Sequence, residues 1–154
     1  MKRIAISFLF AASFSVVAEE CPSIPKNLEN AVIQHIQTIR ASEYCEARSV
    51  QSNKTLSVVI YTAEGECGSN SKEEPGTCSV NWVRYMVGEY NGKIIGPVSI
   101  GGKGNLSDTQ VKISGGVVEI SGLTIGANDA LCCPSVSASK KYRVAENGFQ
   151  EILP

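Results

Sequence analysis

His35 and Trp82 are the only histidine and the only tryptophan among 154 residues. With one imidazole and no Gly-x-Ser-x-Gly segment, a nucleophilic triad lacks its parts. Neither Cys-x-x-Cys nor Cys-x-x-Cys-His occurs, which argues against a dithiol redox centre, a zinc site built from short chelating pairs and a c-type haem. No cofactor and no metal are therefore expected. Lys and Arg are neither in surplus, at 14 against 15 Asp and Glu, nor clustered along a strip that could follow a phosphate backbone, so nucleic acid is not an expected partner. Past the N-terminus, no apolar run approaches the roughly 20 residues that a membrane span needs.

The N-terminus has its own pattern. Met1-Lys2-Arg3 is basic, an apolar run over 4–17 follows, and Val16-Val17-Ala18 supplies small residues ahead of Glu19. This is the order of a secretory signal peptide over 1–18, cleaved after Ala18, and it predicts a periplasmic or secreted protein. Glu20 precedes Cys21, where lipid attachment demands a small residue, so the cysteine is not expected to carry a lipid. Loss of Lys2 and Arg3 lowers the basic count from 14 to 12 and leaves the exported chain acidic. Residues 19–154 suffice for one compact domain and are too few for two.

Pro22 and Pro25 make 21–25 an extended lead-in. Asn27 is placed to cap a helix whose stripe, Leu28, Val32, Ile36 and Ile39 with Ala31 and His35 alongside, runs through Arg40. The next segment, 44–54, is polar and reads as irregular. From Leu56 the period changes to two: strands are predicted over 56–63, 78–90, 94–100, 110–114, 117–125, 137–144 and 149–152. Asn91-Gly92, Gly115-Gly116 and Asn147-Gly148 mark hairpin turns, and Pro97 argues for an edge or a bulge. No helical pattern separates these strands. The fold class expected is α+β, one N-terminal helix packed on an antiparallel meander of about six or seven strands and stapled by disulfides.

All six cysteines, Cys21, Cys45, Cys67, Cys78, Cys132 and Cys133, lie after the leader, and an even number in an oxidising compartment suggests up to three disulfides. Cys67 and Cys78 flank the loop 64–77 between strands that must pair, which brings them within bridging range. Adjacent residues of an extended chain face opposite ways, so Cys132 and Cys133 could each take one of Cys21 and Cys45. The alternative is Cys21 with Cys45 and Cys132 with Cys133, which requires both flanks of the helix to fold back along it.

The segment Asp129-Ala130-Leu131-Cys132-Cys133-Pro134-Ser135, followed by Lys141-Tyr142-Arg143-Val144 and Asn147-Gly148, resembles the closing motif of small exported β-rich proteins, including the LppP/LprE-type lipoproteins. The resemblance spans about the last 30 residues, and this chain departs from it in lacking a lipid-attachment site. It implies a fold and a compartment and carries over no catalytic residue.

His35 sits among apolar helix residues and reads as a packed side chain. The carboxylate pairs Glu64 with Glu66 and Glu73 with Glu74 could serve glycoside hydrolysis, but their loop is polar and solvated. Residues 101–105, with Lys103, could cradle an anion, although no helix opens after them and a plain connection is the simpler reading. On the second predicted strand, alternation sends Trp82, Arg84, Met86 and Tyr90 to one face and Val83, Tyr85 and Val87 to the other. The first of these faces mixes aromatics with a cation, as a partly covered sheet surface or a recognition surface would. Glu73, Glu74, Trp82, Arg84 and Tyr90 are thus the candidate binding residues. The expected function is a non-enzymatic binding protein whose partner is another envelope protein, as for an inhibitor or immunity protein. A module for a small ligand or envelope component, and a hydrolase using loop carboxylates, are the alternatives.

Overall fold

The most apolar strand among the described residues is apolar on both faces. Leu56–Glu64 (β2) buries Val58 and Ile60 on one side and Val59, Tyr61 and Ala63 on the other, a continuous run that only a strand covered on both sides requires. The computed structural model describes residues 21–65, 82–130 and 132–153. The leader 1–18 therefore lies outside the described residues, as do Glu66, Cys67, Glu73, Glu74 and Cys78.

β2 sits inside a four-stranded antiparallel sheet, between Ser42–Ser52 (β1) and Trp82–Tyr90 (β3), with Lys93–Gly102 (β4) at the far edge. A second antiparallel sheet of four follows in chain order: Ser107–Ser114 (β5), Val117–Thr124 (β6), Val136–Ala145 (β7) and Gly148–Ile152 (β8). The helix Lys26–Thr38 (α1) lies on one face of the first sheet, where Leu28 and Val32 meet Val59, Tyr61 and Val87. On the opposite face Val58, Ile60, Met86, Ile95 and Ile100 pack against Val118, Ile120 and Tyr142 of the second sheet. The layers are thus helix, sheet, sheet. The α+β class agrees with expectation; the single meander of about six or seven strands gives way, among the described residues, to two sheets totalling eight strands.

The added strand is β1, which occupies the segment read as irregular. It is an edge strand with little apolar content, and its pairing to β2 shifts register between Tyr44 and Ser49, so no simple alternation marks it. Its inward anchor is charged. Arg48 is buried and donates from Nε and Nη2 to the two carboxylate oxygens of Glu43 at 2.7 and 2.6 Å, and from Nη1 to the Pro22 carbonyl at 3.0 Å. Glu29 of α1 approaches the same guanidinium at 3.5 Å. These bonds fold the lead-in and the helix start back onto β1.

That return decides the disulfides. Cys21 pairs with Cys45, with 4.7 Å between Cα atoms, and Cys132 pairs with its neighbour Cys133. The cross-pairing of Cys21 and Cys45 with Cys132 and Cys133 is overturned, because β1 carries Cys45 back along the helix to the lead-in.

Local signals hold more often. Asn91 and Gly92 have φ of 50° and 77°, and Gly115 and Gly116 have 56° and 75°, the positive pairs that type I′ hairpins demand. Pro97 lies on edge strand β4, beside a register shift in its pairing with β3. The helix differs at both ends. Pro25 holds the N-cap position, while Asn27 lies inside the helix and donates to Glu89 of β3 at 3.0 Å. At the C-terminus Arg40 has φ of 52°, and Arg40 N–H and Ala41 N–H return to the carbonyls of Gln37 and Ile36, a Schellman closure. Ile39 is therefore the cap residue, 38% exposed, and does not extend the buried stripe.

Candidate functional site

Register brings the chemistry together at one end of the first sheet. Tyr44 pairs with Thr62, and Thr62 with Arg84, so three strands contribute one row of side chains; Glu64 opposite Trp82 forms the next. These residues share the face that carries Ile60 and Met86. Arg84 donates from Nη1 to Thr109 Oγ1 of β5 at 2.6 Å, and its guanidinium lies 5.4 Å from the Trp82 ring centre. The result is a cleft of about 210 Å³ lined by Tyr44, Ala47, Thr62, Glu64, Trp82 and Arg84.

Within it, Tyr44 is 42% exposed, and its hydroxyl donates to the Glu46 carboxylate. Thr62 is 4% exposed, and its hydroxyl is buried with no hydrogen-bond partner among the described residues. Such a group ordinarily finds a partner, because its lost hydration otherwise costs about 1–3 kcal/mol.

Trp82 and Arg84 are thus brought together, as the alternation of β3 implied. Tyr90 is not with them: it pairs with Leu56 and Lys93 at the opposite end of the strand and packs against the inter-sheet core. Glu73 and Glu74 fall outside the described residues. Tyr44 and Thr62 were not legible as site residues, since their place depends on the pairing of β1 with β2.

No family model, curated protein or solved structure matches this chain. The site must be read from its own chemistry.

The remaining candidates are structural. His35 Nδ1 lies 2.7 Å from the Tyr61 hydroxyl, and its ring meets Tyr85 edge-on at 4.5 Å. Burial holds the imidazole below its ordinary pKa and the Tyr61 phenol above its own. An imidazole that shares a hydrogen bond with Tyr61 between helix and sheet is a packed histidine. In the segment around Lys103, Gly102 and Asn105 exchange backbone bonds at 2.8 and 2.9 Å, while the Gly104 carbonyl accepts from Ile125 N–H and Thr124 Oγ1. This is a tight crossing from β4 to β5 rather than an anion cradle. Asp129 accepts from the backbone N–H groups of Gly126 and Ser135 and from the Ser135 hydroxyl, each at 2.8 Å, which closes the loop carrying Cys132 and Cys133. Those bonds hold its carboxyl below the usual carboxylate range, the Gly126 N–H contributing most.

Among the described residues, no three His, Cys, Asp or Glu side chains are grouped to hold a metal ion. Among the same residues, no helix is long and apolar enough to cross a membrane.

Proposed function

We propose that this is an exported, non-enzymatic binding protein that presents the Tyr44, Glu64, Trp82 and Arg84 end of its first sheet to another molecule of the cell envelope. The observation that carries the reading is the cleft itself: two aromatic rings, a guanidinium and a carboxylate converge on a half-covered sheet end. Aromatic and Arg anchors in a desolvated pocket are the usual centre of a binding surface. The basic, apolar and small-residue order of 1–18 supports export, as does the resemblance of 129–135 to LppP/LprE-type proteins. A protein partner, bound as an inhibitor or immunity protein binds its enzyme, is the leading form of this reading.

The test is capture from periplasmic extract with wild-type protein and with Tyr44→Ala and Glu64→Ala. A partner retained by wild type and lost by both variants supports the reading; equal retention by all three removes this surface. Mass spectrometry of the exported protein should find Glu19 at its N-terminus, and a retained Met1 would contradict export by cleavage.

The size of the cleft, about 210 Å³, favours a second form, a module for an envelope component small enough to enter it.

A further inference from the structure

We propose that Cys132–Cys133 is a thiol–disulfide exchange site, opened by an incoming dithiol and closed again by oxidation while the fold around it stays intact. The proposal is independent of the cleft beside Trp82, since the pair lies on the loop between β6 and β7 of the second sheet.

The two bridges among the described residues differ in what they hold. A disulfide stabilises mainly by closing a loop in the unfolded chain, and the gain grows with the length of that loop. Cys21–Cys45 spans a sequence separation of 24 and ties the lead-in to β1. Cys132–Cys133 spans a separation of 1 and encloses no other residue, so it takes almost no freedom from the unfolded chain. Folding therefore gives no reason for it.

The loop that carries the pair has other fastenings. Thr124 pairs with Val136 where the two strands meet its ends. Inside it, the Asp129 carboxylate accepts from the N–H groups of Gly126 and Ser135, Asp129 N–H returns to the Gly126 carbonyl at 3.1 Å, and Cys133 N–H to the Ala130 carbonyl at 2.9 Å. None of these bonds uses a sulfur atom, so the loop keeps its shape when the disulfide opens.

Access separates the two bridges as well. Cys132 and Cys133 are both exposed, whereas Cys21 and Cys45 are half-buried. Exchange requires a thiolate to reach a disulfide sulfur, and exposed disulfides are the labile ones. One thiolate of the dithiol attacks the Sγ of one cysteine, forming a mixed disulfide and breaking the Cys132–Cys133 bond; the displaced thiolate takes a proton. The second thiolate of the dithiol then attacks its partner sulfur in the mixed disulfide, which closes the donor's own disulfide and releases the other cysteine as a thiolate that is protonated in turn. The protein gains two electrons and two protons, and the dithiol is oxidised by the same amount. The arrangement is not the Cys-x-x-Cys dithiol that the sequence lacks; adjacency and exposure take its place.

The test titrates the exported, oxidised protein with mixtures of reduced and oxidised dithiothreitol, followed by acid quenching, alkylation and peptide mapping. Cys132 and Cys133 should become labelled together at a reduced-to-oxidised ratio at least about tenfold below the one that opens Cys21–Cys45, with Trp82 fluorescence and circular dichroism unchanged. Oxidised dithiothreitol should then restore the same pair. The double variant Cys132→Ser with Cys133→Ser should keep its Tm within about 2 °C of wild type. Four results overturn the proposal: Cys21–Cys45 opening within about tenfold of that ratio or earlier, loss of the folded signals in step with labelling of Cys132 and Cys133, re-oxidation of either onto another cysteine, or a larger fall in Tm in the double variant.

Discussion

Replacing Arg48 by Met should destabilise the protein by about 3–5 kcal/mol, the range for removing one partner of a buried ion pair. The magnitude follows from what remains behind. The Arg48 side chain is 2% exposed and that of Glu43 12%, so without the guanidinium Glu43 keeps a largely buried carboxylate that has lost both bonds, at 2.6 and 2.7 Å. The Pro22 carbonyl loses its donor as well. Met preserves most of the aliphatic stem, which separates lost charge from lost packing. The double variant Glu43→Met with Arg48→Met removes the stranded carboxylate and should recover a large part of the loss, because apolar replacement of a whole buried pair is often neutral. Guanidinium unfolding followed by Trp82 fluorescence, with disulfides intact, measures both, and the cycle yields the coupling between the two residues. A loss under about 1 kcal/mol for Arg48→Met, or a double variant as costly as the sum of the singles, would refute the claim that this pair within β1 is a coupled, stabilising unit.

The helix should report its buried stripe in graded form: Leu28→Ala is expected to cost about 2–5 kcal/mol and Ile39→Ala no more than about 0.5 kcal/mol, by chemical denaturation. Stability should fall at both extremes of pH. His35 has its folded pKa depressed by burial, so its contribution is present above its ordinary value near 6.5 and is lost as pH falls through the folded pKa; His35→Phe should flatten that limb. Tyr142 has its phenol pushed up to about 12 by burial, so its contribution is present below about 10 and is lost as pH rises from there towards 12. Tyr142→Phe should reduce the alkaline slope, with Tyr61 supplying the rest, and because the Tyr142 hydroxyl is buried without a partner among the described residues it should leave neutral-pH stability unchanged or raise it by up to about 1 kcal/mol. Alkylation without reduction, followed by peptide mapping, should label none of Cys21, Cys45, Cys132 and Cys133, and stoichiometric labelling of any pair would contradict the bridges between them.

The features legible in the sequence are those whose causes are local. Asn91-Gly92 and Gly115-Gly116 announced their hairpins because positive φ at two successive positions excludes most other residues. Leu28 and Val32 announced a helical face through spacing alone, and the alternation along β3 put Trp82 and Arg84 side by side. Tertiary structure decided the features whose causes lie far apart in the chain. The apolar run of β2 said that the strand was buried, but not that a helix would cover one face and a second sheet the other. β1 stayed hidden because an edge strand held by Arg48 needs no hydrophobic pattern; beyond Glu43 on the strand itself, the partners of Arg48 are Pro22 in the lead-in and Glu29 on the helix. Once β1 returns beneath the helix, Cys45 reaches Cys21, and the adjacent cysteines are left to each other. Tyr44 likewise joins Thr62 and Arg84 only through strand pairing. Turn chemistry and periodicity act within a few residues and can be read from them, whereas pairing and layer order are settled by which buried surfaces meet.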